Sequence, residues 1–132
     1  MNPNVNNAAA LVGRILLAVI FITSGFGKIT GYDGTAAYMA TKLPMVSLLL
    51  PLTIATELGG GIALAVGFKA RWAGLLLALF TLAAGILFHD YWNADAAHRM
   101  AQQINFMKNV AITGGLLMVF AFGPGAWSLD RK

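Results

Sequence analysis

No cysteine occurs in this chain of 132 residues, which excludes disulfides, thiol redox relays, thiolate zinc sites and cysteine-ligated iron–sulfur clusters. Any redox role must be borrowed from another molecule. Charge is scarce as well. Charged residues make up 11% of the chain and hydrophobic ones 58%, whereas a soluble domain carries about 25% charged residues. A water-soluble monomer cannot cover itself with so few charges. The two histidines are His89 and His98, the second in a loop, too few for a haem or metal-ligand cluster. Nine basic residues stand against five acidic ones, but they are scattered singly between apolar runs and form no stripe for nucleic acid. The six methionines are likewise dispersed, which fits packing rather than a copper path. There is no flavin or nicotinamide fingerprint, so the chain has no means of hydride transfer on its own.

What the chain does have is long apolar runs. Crossing a bilayer core about 30 Å thick takes roughly 20 mostly apolar helical residues. Four runs qualify, over about 8–27, 46–68, 72–89 and 104–122, broken only by Arg14, Glu57 and Lys108. None has the polar face of a helix in a soluble bundle, and none shows the short alternating segments of a membrane β-barrel. The expected fold is therefore all-α: one domain over residues 1–132, an integral membrane four-helix bundle with the lipid bilayer as its solvent. Pro44 and Pro51 are placed in the opening turns of the second span, and Gly123, Pro124 and Gly125 end the fourth. A tight turn at residues 69–71 makes its two helices antiparallel neighbours, giving an up-down-up-down order. With no Lys or Arg before the first run and no small-residue cleavage site after it, the first span is read as retained.

An even number of spans places both termini and the 69–71 turn on one side. Lys69, Arg71, Arg131 and Lys132 lie there, against Lys28, Lys42 and Arg99 opposite, so both termini are expected in the cytoplasm. Tyr32, Tyr38, Tyr91 and Trp92 then mark the outer interface, and Trp72 and Trp127 the inner one.

Ionisable groups inside a bilayer cost at least about 2.5–3.5 kcal/mol each, so they find partners in the bundle or line a wet cavity. Arg14, Ala18, Phe21, Gly25 and Lys28 recur at helical spacing, which puts both cations on one inward face. Glu57 lies near the middle of the second span, with Gly60 and Gly61 on its face; Gly25, Gly85 before His89, and Gly115 after Lys108 offer further close-packing sites. At about 1.5 Å rise per residue, Glu57 is axially within reach of Arg14 and of Lys108. Two readings follow. In one, Glu57 pairs with Arg14 or Lys108 to set helix register while Lys28 and Lys108 snorkel to headgroups. In the other, Glu57, His89 and Lys108 line a polar pocket for a small molecule with carbonyl or phenolic groups. The pairing of Glu57 with Arg14 or Lys108 is the expectation carried forward.

Five segments, GRILLAVIFITSGFGK from Gly13, ELGGG from Glu57, FHDYW from Phe88, FMKNVAITGG from Phe106 and FGPGAWSLDR from Phe122, resemble those of the DoxX family of small four-helix bacterial membrane proteins. Within that family the pattern is most similar to its YqjF-like inner-membrane branch. The resemblance covers nearly all of the chain. It implies a bacterial inner (plasma) membrane protein linked to redox metabolism, with a quinone as a candidate ligand. A membrane or soluble redox partner protein and a homo-oligomer are implied in the same way. It also places Arg14, Lys28, Glu57, His89, Lys108 and Asn109 at the family's polar motif positions. The leading expectation is a redox-associated accessory subunit, not a stand-alone enzyme; a small-solute transporter or exporter and a membrane scaffold or assembly factor are the alternatives.

Overall fold

The computed structural model describes residues 1–131, so Lys132, counted in the charge argument above, lies outside the described residues. Among the described residues five α-helices and one 3-10 turn make up the fold: α1 (Pro3–Thr30), α2 (Tyr32–Ala40), α3 (Val46–Val66), α4 (Ala70–Phe88), the turn Tyr91–Asn93 and α5 (Arg99–Phe122). Four of them, α1, α3, α4 and α5, are long and apolar enough to cross a membrane.

The helix ends depart from the expected spans for local reasons. α1 begins at Pro3, ahead of the apolar run, because the Asn2 side chain accepts the Asn4 amide at 2.8 Å and proline at the first helical position gives up an N–H that has no partner there anyway. The connection after α1 contains α2. α3 starts only after Pro44, with Met45 in the left-handed region, so Pro44 precedes the helix and Pro51 falls in its second turn. It stops at Val66 rather than Phe68 because Gly67 turns left-handed at φ 73°. Ala70 and Arg71, expected at the turn, are already inside α4. α5 starts five residues before Ile104, where Asp95 accepts the His98 amide at 3.0 Å and its ring nitrogen Nδ1 at 2.7 Å. The His98 hydrogen bonds hold the Asp95 carboxyl below the usual carboxylate range.

α1 packs along α3 and α4 along α5, α3 adjoins α4, and α1 meets α5 only sparsely. Small residues set the closeness of these contacts. A Cβ on Gly61 would lie 3.1 Å from Phe21 Cβ, one on Gly60 3.0 Å from Leu77, and one on Gly74 3.0 Å from the Leu116 carbonyl. The core is thin, built from Ala18, Phe21, Leu64, Leu77, Ala78 and Leu116. The outer surface is apolar on every side, with Leu16, Leu79 and Met118 more than half exposed. Water would penalise such a surface, whereas lipid tails match it.

Two ends of the bundle can be told apart. At one, α2 packs on α3 and α1, and its Tyr38 ring lies 5.7 Å from that of Phe88. At the other, the C-terminal tail folds back. Leu129 N and Asp130 N donate to the carbonyls of Val66 and Gly67 at 3.0 and 2.9 Å, and the Asp130 carboxylate accepts the amides of Lys69 and Ala70 at 2.8 Å each. The tail thus finishes α3 and caps α4, at the positive end of that helix.

Candidate functional site

Arg14 is 2% exposed on α1 and sits at the tail end, level with the last turn of α3. One terminal guanidinium nitrogen donates to the carbonyls of Leu64 and Ala65 at 3.1 and 2.9 Å, and the other donates to that of Trp127 at 2.6 Å. Carbonyls at a helix C-terminus have no partner within the helix and carry its negative dipole end, so they attract a cation without any carboxylate. Hence Arg14 is not the partner of Glu57, contrary to expectation. Nor is Lys108, which is exposed on α5 and has no hydrogen bond or ion pair among the described residues.

The partner is Lys28, expected to snorkel. Its Nζ lies 2.8 Å from Glu57 Oε1 and also donates to Ser24 Oγ at 2.8 Å. Both cations of α1 do share the inward face that helical spacing assigned them, but the nearer level to Glu57 is that of Lys28: Gly25, one turn before it, packs against Glu57 and Leu58. Glu57 is 4% exposed, and its Oε1, although close to the ammonium, lacks a directed hydrogen bond.

The pair lies on the wall of a cleft of about 780 Å³ between α1, α2, α3, α4 and α5. His89 and Asn109 line the same space, while Arg14 and Lys108 do not. His89 Nδ1 is 2.9 Å from Gln102 Oε1, which fixes the ring at the end of α4. Asn109 donates to the Thr81 carbonyl at 3.0 Å and packs on Gly85, whose missing side chain leaves room for it. Gly115, expected to admit a neighbouring helix, faces Leu17 of α1.

Two residues of the cleft escaped sequence reasoning. Ser24 shares the face of Lys28, so the spacing was a usable signal. Thr81 had none: it sits inside an apolar run, is 4% exposed, and its hydroxyl has no hydrogen-bond partner. A small cavity with mostly apolar walls and a few convergent polar atoms is the usual form of a small-molecule site. Among the described residues no three His, Asp or Glu side chains group to hold a metal.

The DoxX family model matches residues 9–90. The chain belongs to the DoxX family. This DoxX chain is 44% identical to the inner membrane protein YqjF of Escherichia coli strain K12, over 95% of the chain and 92% of that protein. It is 38% identical to the inner membrane protein YphA of the same organism, over 92% of the chain and 88% of that protein. A more distant likeness, 27% identity over 99% of the chain and 36% of the relative, is to the ER-derived vesicles protein ERV29 of Saccharomyces cerevisiae. No solved structure matches. With its four apolar spans, this DoxX protein is an integral inner-membrane protein.

Proposed function

We propose that this DoxX protein is a redox-associated accessory subunit that binds a quinone-like or other small aromatic molecule in the cleft, and is not an enzyme on its own. The observation that carries the reading is a cleft of about 780 Å³ lined by the Lys28–Glu57 pair and by Thr81, whose buried Oγ1 has no hydrogen-bond partner. Buried polar atoms are normally satisfied, because an orphan costs about 1–3 kcal/mol. A ligand hydroxyl donating to Thr81 Oγ1 would remove that cost. The Lys28 ammonium donates one of its three protons to Ser24 and sits against Glu57 without a directed hydrogen bond, which leaves a proton for a ligand carbonyl. Aromatic and aliphatic walls from Phe21, Phe80 and Phe88 would hold a ring.

A filled core would have supported the scaffold reading. The tail half of the bundle, closed by Arg14 and by the contact of Gly60 with Leu77, supports a pocket over a path through the protein. The redox link comes from the family resemblance, and the binding reading from the cleft.

The test is saturable binding of decylubiquinone to the protein in lipid nanodiscs, with native mass spectrometry of the gently extracted protein for co-purifying molecules. Thr81→Val removes one orphan oxygen without touching the ion pair and is expected to weaken binding several-fold. A wild-type protein that takes up no more decylubiquinone than empty nanodiscs would overturn the proposal.

A further inference from the structure

No helix covers the flank of the cleft between α1 and α5. α1 and α5 meet sparsely; where they do, Leu17 packs on Gly115, 3.2 Å from the position of an added Cβ. Toward the α2 end, Ile20 and Ser24 of α1 and Asn109 and Ile112 of α5 all line the same cleft. Ile20 stays 46% exposed there, although it lies eight residues before Lys28, roughly 12 Å along the helix axis and so within the hydrocarbon layer. The flank between α3 and α4 differs. There Tyr38 of α2 packs on Phe88, and Lys42 Nζ, 3.0 Å from Asp90 Oδ1, ties α2 to the end of α4.

We infer that the cleft opens to lipid through the gap between α1 and α5, and that its ligand is a membrane-partitioned molecule arriving from the bilayer instead of a water-soluble solute. The inference rests on reading the cleft as a ligand site. A doorway at hydrocarbon depth admits only molecules already dissolved there, because a charged or strongly polar solute would have to leave water first. The rim adds a polar requirement. Lys108 is two turns before Gly115 on α5, hence on the same face, exposed and without a hydrogen bond or ion pair among the described residues. Its long side chain reaches toward the headgroups at the α2 end of the gap. With Lys28 inside the cleft, the route offers hydrogen-bond donors first at the rim and then within. The ligand class is a lipid-soluble molecule with an apolar body and a hydrogen-bond-accepting head.

The absence of cysteine from the chain makes a thiol staple specific. Ile20→Cys with Ile112→Cys bridges the gap, whereas Lys42→Cys with Asp90→Cys joins α2 to α4; each pair is closed by a short bismaleimide after reconstitution in phosphatidylethanolamine–phosphatidylglycerol nanodiscs. The readout is the association rate of decylubiquinone, bridged against unbridged protein of the same variant, so that effects of the substitutions on folding cancel. Bridging α1 to α5 is expected to slow association at least about tenfold, and bridging α2 to α4 to leave it within about twofold. An unchanged rate with the gap bridged, or slowing confined to the α2–α4 staple, overturns the lipid doorway while leaving the ligand site standing. No saturable binding by any unbridged protein overturns the ligand site and the doorway together.

Discussion

Lys28 and Glu57 form a pair of unequal exposure: Nζ and Oε1 are 2.8 Å apart, yet the lysine side chain is 25% exposed and the glutamate 5%. Removing one partner therefore strands the other in a different medium. Lys28→Met leaves a carboxylate buried without a counter-charge, a loss that typically costs about 3–5 kcal/mol. Glu57→Gln leaves an ammonium that can turn outward, at about 1–3 kcal/mol. Thermal melting in detergent should rank Lys28→Met below Glu57→Gln, with the double variant above Lys28→Met alone. The reverse order would show that Lys28 is not the partner on which Glu57 depends.

Arg14 binds three carbonyls on two segments, and the fork of a guanidinium does this where one ammonium does not. Arg14→Lys should therefore behave nearly as badly as Arg14→Met, each lowering stability by roughly 3 kcal/mol or more. Limited proteolysis should show the C-terminal tail cut first. A tail equally protected in both variants would contradict the assignment.

Gly60 and Gly59 are adjacent yet differ in surroundings. A Cβ on Gly60 would lie 3.0 Å from two Leu77 carbons, and one on Gly59 would meet nothing within 4 Å. Gly60→Leu is expected to lose about 1–3 kcal/mol by overpacking. Gly59→Leu, on the same stretch of helix, should melt like wild type. Equal losses would show that the Gly60–Leu77 contact is not what sets the cost, since leucine is the better helix former at both positions.

Asp130 accepts the amides of Lys69, the N-cap residue of α4, and of Ala70, the first residue of that helix. Asp130→Ala should cost about 0.5–2 kcal/mol, the range for loss of a helix cap. Asp130→Asn, which keeps one acceptor oxygen, should cost less. Hydrogen exchange at Lys69 and Ala70 reports the loss directly, and unchanged protection would refute the cap.

Orientation is open to a direct check. Lys69, Arg71 and Arg131 gather at the tail end, which predicts that this end faces the cytoplasm. A reporter active only in the cytoplasm, joined by a flexible linker after residue 132, is expected to work. A silent but fully expressed fusion would reverse the topology.

The spans were legible because lipid imposes one strong rule, a run of apolar residues long enough to cross. Glu57 was legible as a buried acid for the same reason, and so was the shared inward face of Arg14 and Lys28. What spacing along one helix does not carry is the offset between helices. Arg14 and Lys28 are equivalent candidates on a helical wheel; only the docking of Gly25 on Leu58 and of Gly61 on Phe21 decides which of them stands level with Glu57. Arg14 was misassigned because a carboxylate was sought for it, while its partners are main-chain carbonyls that every residue possesses. Helix α2 was missed since nine residues of mixed polarity have no clear periodic face, and Asp130 because nothing in a tail sequence marks the distant amides it will cap.

The triple contact of Arg14 also sets an order in time. Its last acceptor, Trp127, is 113 residues farther along the chain, which at ribosomal rates of roughly 5–20 residues per second separates the two by on the order of ten seconds. During that interval the first helix enters the bilayer with a guanidinium whose full set of acceptors does not yet exist, at a cost of a few kcal/mol while it waits. A newborn chain therefore cannot complete its bundle helix by helix; it remains unsealed until Trp127 is made, and in that window the insertion machinery, or water drawn in with the charge, must stand in for the missing acceptor.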